Sequence, residues 1–177
     1  MSPILIEVLP ITERWNVACT LRFGMMTEQH AFESHFASAR QWLHELMVVL
    51  ELEPDEAGPG LQALRAGLHA IRDRLPAAEV VDLAAQLPLL IRGIYYDGWK
   101  LANDPGKIRS RAELIESVER ELADNRMSAA NVLSAVIELL TRHVSAGEID
   151  DMVSTLPRSI AELWKGHPGE APSTLPP

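Results

Sequence analysis

The side chains best suited to meet a ligand or partner lie together in Ile91-Arg92-Gly93-Ile94-Tyr95-Tyr96-Asp97-Gly98-Trp99, which holds three of the chain's nine aromatics. Tyrosine and tryptophan offer large apolar area with one polar tip, which suits an interface or a pocket wall. A guanidinium at Arg92 can grip a carboxylate or phosphate through paired hydrogen bonds. On a helix, Tyr95 and Tyr96 stand three and four residues beyond Arg92, so all three share a face. Arg92, Tyr95, Tyr96 and Trp99 are the candidate site. The competing reading is a helix end whose aromatics fill a seam, with Arg92 paired to Asp73 or Asp82. Lys100, Lys107, Arg109 and Arg111 follow as the one basic cluster. Lys100, Lys107 and Arg109 are a weaker candidate for an anion contact, set against a solvated linker.

Other chemistry finds little support. His69 and Asp73 stand four apart and can pair on one helix face, but no nucleophile or third group accompanies them. Arg72-Asp73-Arg74 reads as surface salt bridging. His30, Glu33, His35, His44 and Glu45 cluster loosely, yet Val48 stands where a zinc-binding His-Glu-x-x-His needs its second histidine. The Glu-x-x-His of a di-iron bundle is missing too. Gly-x-Ser-x-Gly is absent, and Gly58-Pro59-Gly60 does not follow a strand, as a phosphate cradle would. No catalytic residue, metal or cofactor is expected.

The chain has 177 residues and a net charge of −9. That length can bury a real core. The charge disfavours broad binding to phosphate backbones, so nucleic acid is not an expected partner. A single cysteine, Cys19, precludes an internal disulfide and suits a reducing cytoplasm. No apolar run approaches the roughly 18 residues of a membrane helix. Residues 1–24 lack the basic start and unbroken apolar middle of a signal peptide. They are read as a leader outside the core, with translation from Met25 or Met26 as one account of it. Residues 167–177 are read as a disordered, proline-rich tail.

The elements that would carry the candidate site recur. Shifted by 69 positions, residues 62–97 fall on 131–166 with eight identities, among them Leu64/Leu133, Glu79/Glu148, Asp82/Asp151 and Leu87-Pro88/Leu156-Pro157. Leu61, Leu64, Leu68, Ile71 and Leu75 make an apolar helical stripe, repeated by Leu133, Val136, Ile137, Leu140 and Val144. Short helices follow at about 77–86 and after Pro88, and again after Ser145 and Pro157. Ser110…Glu113 and Ser145…Glu148 read as capping boxes. A preceding helix carries Phe36, Trp42, Leu43, Leu46 and Leu50 in the first half, and Leu114, Ile115, Val118 and Leu122 in the second. The expected fold is all-α: one domain over 27–166, of two similar four-helix halves (27–103 and 104–166) about a pseudo-twofold, roughly eight helices. Asn103-Asp104-Pro105-Gly106 is the linker. At the candidate site the halves diverge, with Ala161 in place of Arg92 and Trp164 as the one aromatic.

Leu68-His69-Ala70-Ile71-Arg72-Asp73-Arg74-Leu75, Gln86-Leu87-Pro88…Arg92-Gly93…Tyr95-Tyr96-Asp97-Gly98-Trp99 and His143-Val144-Ser145-Ala146-Gly147-Glu148-Ile149 together resemble the bacterial domain of unknown function 2267 family. The resemblance covers about 27–166 and implies a duplicated all-helical module. It implies no activity. The leading expectation is a non-enzymatic cytoplasmic interaction or assembly module, binding another protein or itself and no membrane. The alternative is a protein or enzyme that takes a small anionic ligand in a pocket at the seam between the halves.

Overall fold

The computed structural model describes residues 25–101, 110–122 and 126–166. Residues 1–24, Lys107, Arg109, the expected linker and the expected tail lie outside the described residues. The chain divides into two compact units, 1–38 and 39–177. Both expected halves, from Ala39 onward, fall within the second unit, so the division does not follow the linker between them.

Eight α-helices and no strands are found among the described residues. They are α1 Met25–Val49, α2 Ala57–Arg72, α3 Ala77–Gln86, α4 Leu89–Tyr96, α5 Arg111–Glu121, α6 Ala129–His143, α7 Ala146–Thr155 and α8 Arg158–Ala161. Short 3-10 turns at Pro54–Glu56 and Glu162–Gly166 precede α2 and follow α8. Local chemistry sets the boundaries. Pro76, Pro88 and Pro157 each stand as the N-cap of the helix that follows, because proline resists continuing the helix before it and has no N–H to lose. Ser110 and Glu113 make the expected reciprocal cap. Ser145 accepts from the Glu148 amide, but Glu148 does not reach back; its Oε1 is buried without a hydrogen-bond partner. Helix α1 ends with Glu51 at φ 54°, its amide on Val48 and that of Leu52 on Met47. This is a Schellman turn in the position glycine usually takes.

One core runs through the second unit. Trp42 and Leu46 of α1 join Leu64, Leu68 and Ile71 of α2, Leu114 and Val118 of α5, and Val136, Ile137 and Leu140 of α6, all buried. Helix α2 is central, packing on α4, α5 and α6. Helix α3 packs on α7, and α6 on α7.

The closest approach of α2 to α6 is at Gly67. A Cβ there would stand 2.5 Å from Val136 Cγ2, and Val136 is fully buried. Gly67→Ala is therefore expected to cost about 1–3 kcal/mol through overpacking, although alanine is the better helix former. Adding Val136→Ala should recover much of that loss. Additive losses in a denaturation double-mutant cycle would deny the contact.

Helices α1 and α6 are joined at Glu45. Its Oε2 accepts from His143 Nε2 at 2.6 Å and from Arg142 Nη1 at 3.4 Å, and its Oε1 accepts from Gln41. The His143 ring stacks on Trp42 at 4.8 Å. Burial by itself would raise the Glu45 carboxyl, but the bonds from His143 and Gln41 and the charges of His143 and Arg142 hold it below the usual carboxylate range. A carboxyl lowered on folding contributes stability above its unfolded value, near 4.5. That contribution is lost as pH falls through the lower folded value. Melting curves of wild type and Glu45→Gln should differ near pH 6 and converge as pH falls through the lowered folded value.

Candidate functional site

The run Ile91–Trp99 forms α4 and the turn after it. Trp99 N donates to Tyr96 O at 3.0 Å. Asp97 has φ −58° and ψ 128°, and Gly98 has φ +68°. That is a type II turn, which needs the left-handed conformation at its third residue and so favours glycine there.

The structure separates the four nominated side chains. Tyr95 is fully buried as part of the core. Its hydroxyl finds no hydrogen-bond partner, and burial pushes the phenol far above its ordinary range. Arg92 is half-buried and binds neither Asp73 nor Asp82. One of its terminal nitrogens donates to the carbonyls of Ala85 and Leu87, each at 3.1 Å. Arg92 thus covers the carbonyls at the C-terminal end of α3, where positive charge is favoured. Tyr96 and Trp99 are partly buried against the core, with ring centroids 5.7 Å apart. The single helix face expected for Arg92, Tyr95 and Tyr96 is therefore divided between core and surface. Lys100 is exposed. Arg92→Ala should cost about 1 kcal/mol by uncovering two carbonyls, measurable by urea denaturation. No change at all would mean those carbonyls need no donor.

Beneath this run lies a polar stripe of which two members, His69 and Arg72, are buried without the sequence revealing it. Arg65, His69 and Arg72 occupy successive turns of α2 and meet the end of α4. Arg72 is 4% exposed. Its Nη1 donates to Tyr95 O and Asp97 O, and its Nε to Asp73 Oδ1 at 2.8 Å. His69 does not pair with Asp73. Its Nε2 lies 2.8 Å from Ile94 O and its Nδ1 2.7 Å from Glu121 Oε1. A carbonyl only accepts, so Nε2 donates to Ile94 O. Arg65 forms an ion pair with Asp97. Basic side chains thus cover the negative end of α4, and His69 ties α2 to α5 as well. The surface salt bridging expected of Arg72-Asp73-Arg74 is, for Arg72, a buried cap.

Concave space lies elsewhere. A 570 Å³ cleft opens where α1 ends and α6 begins, walled by Leu50, Glu51, Leu52, Met127, Ser128 and Asn131 among others. A second cleft, of 270 Å³, separates α6 from α5 and Leu163. Neither has Arg92, Tyr95, Tyr96 or Trp99 in its wall. Among the described residues no three His, Cys, Asp or Glu side chains converge to hold a metal, and no helix is long and apolar enough to cross a membrane.

Residues 39–163 match the family model described as uncharacterized conserved protein, DUF2267. The chain belongs to the DUF2267 family. The DUF2267 match begins where the second compact unit begins and takes in α2 to α8 entire. No curated protein matches the chain. The DUF2267 assignment therefore brings a fold and no chemistry, and function has to be read from the surface.

Within the DUF2267 region an exposed apolar surface forms the outward side of α3 and α4. Ala78, Val81, Ala85, Leu89, Leu90 and Gly93 are all exposed. Val81 is 52% and Leu89 53% exposed. Only Asp82 and Gln86 interrupt the apolar character. Periodicity accounts for the buried sides of these helices and says nothing about why the outer sides are apolar.

Proposed function

We propose that the protein is a non-catalytic interaction module, and that the outward face of α3 and α4 is its contact surface. The observation that carries this reading is an internal comparison. Under the shift of 69, Ala78, Val81, Ala85, Leu89, Leu90 and Gly93 correspond to Gly147, Asp150, Ser154, Arg158, Ser159 and Glu162. All twelve positions are exposed. In the second half they are mostly polar, and Arg158 even pairs with Glu162. The fold thus accepts polar side chains at these places. Exposed apolar groups that the fold does not need suit a surface that binds.

The comparison depends on the two halves being related. Helices α3 and α7 run 77–86 and 146–155, so they begin and end 69 residues apart. They pack on each other. Gly67 meets Val136, its own equivalent. Contacts between equivalents are what a pseudo-twofold axis produces, and we read the second unit as duplicated halves about such an axis. With one cysteine in the chain, we place the protein in a reducing cytoplasm.

The test is a photo-cross-linking residue at position 81, compared with the same residue at its equivalent 150, in cells of the native host. A discrete protein adduct from position 81 and none from position 150 is expected. Equal adducts, or none at either position, would contradict the assignment.

A further inference from the structure

Resting on that reading of the α3–α4 surface, we propose that its partner is a basic amphipathic helix. The partner's apolar side lies on Val81, Leu89 and Leu90, and its lysines or arginines face the carboxylates alongside. Asp82 follows Val81 and is exposed. Because α3 packs on α7, Glu79 and Asp82 come together with Glu148 and Asp151, and Asp150 adds a fifth carboxylate on α7. Among the described residues none of the five makes an ion pair, whereas Glu45, Asp73, Asp97, Glu121, Glu138 and Glu162 each do. Glu51, Glu53, Asp55 and Glu56 near the start of α2 are also without an ion pair among the described residues, but only this border adjoins the apolar face of α3 and α4. Burial and the neighbouring Asp82, Glu79 and Asp151 raise the Glu148 carboxyl above the usual range, as expected where like charges crowd.

Charge selects among occupants. A second copy of the chain, at net −9, would set one acidic border against another. Phosphate-bearing surfaces are repelled for the same reason. A cationic helix meets the border with opposite charge and the patch with its apolar side. Such helices seat residues at i, i+3, i+4 and i+7; Ala78, Val81 and Ala85 of α3 stand at i, i+3 and i+7, with Leu89 and Leu90 at the start of α4 beside them.

The experiment titrates the full chain into a fluorescent Leu/Lys amphipathic helix of about five turns, and into a Leu/Glu helix with the same apolar side. Saturable binding of the Leu/Lys helix is expected, with the Leu/Glu helix at least about tenfold weaker. The triple variant Val81→Asp, Leu89→Arg, Leu90→Ser adds one acid and one base, so net charge is unchanged; it should abolish binding. Asp82→Asn with Asp150→Asn should weaken binding severalfold. Equal affinity for the two helices would overturn the basic partner and leave the surface standing. No binding of the Leu/Lys helix would likewise overturn the partner. Binding that survives the triple variant would reduce the attraction to diffuse charge and overturn it as well. Sedimentation showing a wild-type dimer and a monomeric triple variant would name a second copy as the occupant and overturn it too. The surface itself is judged separately, by the cross-link at position 81.

Discussion

Replacing Arg72 by alanine is expected to cost roughly 3–5 kcal/mol, close to the whole stability of many domains. The side chain is 4% exposed, and its guanidinium binds Tyr95 O, Asp97 O and Asp73 Oδ1. Removing it leaves the buried Tyr95 carbonyl and the part-buried Asp97 carbonyl without their donor and strips Asp73 of its partner; a buried group so abandoned bears its full desolvation cost. Arg72→Lys should recover little, because one ammonium cannot reproduce the planar fork. Urea denaturation measures the loss. A loss below about 1 kcal/mol would place Arg72 at the surface after all.

Leu68→Ala and Ile137→Ala are each expected to cost about 2–5 kcal/mol, as large-to-small changes in a packed core do. Leu68 and Ile137 are equivalents under the shift of 69 and are 0% and 1% exposed. They lie on α2 and α6, which meet at Gly67 and Val136, inside one core cluster. Chemical denaturation of both variants should show comparable losses with unchanged slopes. A neutral result at either position would remove that helix from the core.

The stripes Leu64-Leu68-Ile71 and Leu133-Val136-Ile137-Leu140 were legible because burial along a helix recurs at its own period. The Ser110 cap was legible because its two partners stand three residues apart. Local patterns of this kind need no knowledge of neighbours. The fate of His69 and Arg72 did need it. Polar residues on a helix ordinarily face water, and these two are buried because the end of α4 brings carbonyls against them. Their only trace in the sequence was Arg65-His69-Arg72, one basic residue per turn beside the apolar stripe. The contacts of Arg92 were hidden for the same reason: nothing local shows that its guanidinium meets the carbonyls at the end of α3. The α3–α4 surface was present in the comparison under the shift of 69, at Val81/Asp150, Leu89/Arg158 and Leu90/Ser159. It became meaningful only when all six residues proved exposed.

The central claim is that the apolar side of α3 and α4 serves binding and not folding. Equilibrium urea unfolding of the Val81→Asp, Leu89→Arg, Leu90→Ser variant tests it most directly, since these are the residues the second half carries at the same places. The expected result is a free energy of unfolding within about 1 kcal/mol of wild type and the same slope, as for exposed substitutions. A loss of about 4 kcal/mol or more, of the kind reserved for core disruption, would show that these side chains hold the fold together and would contradict the account.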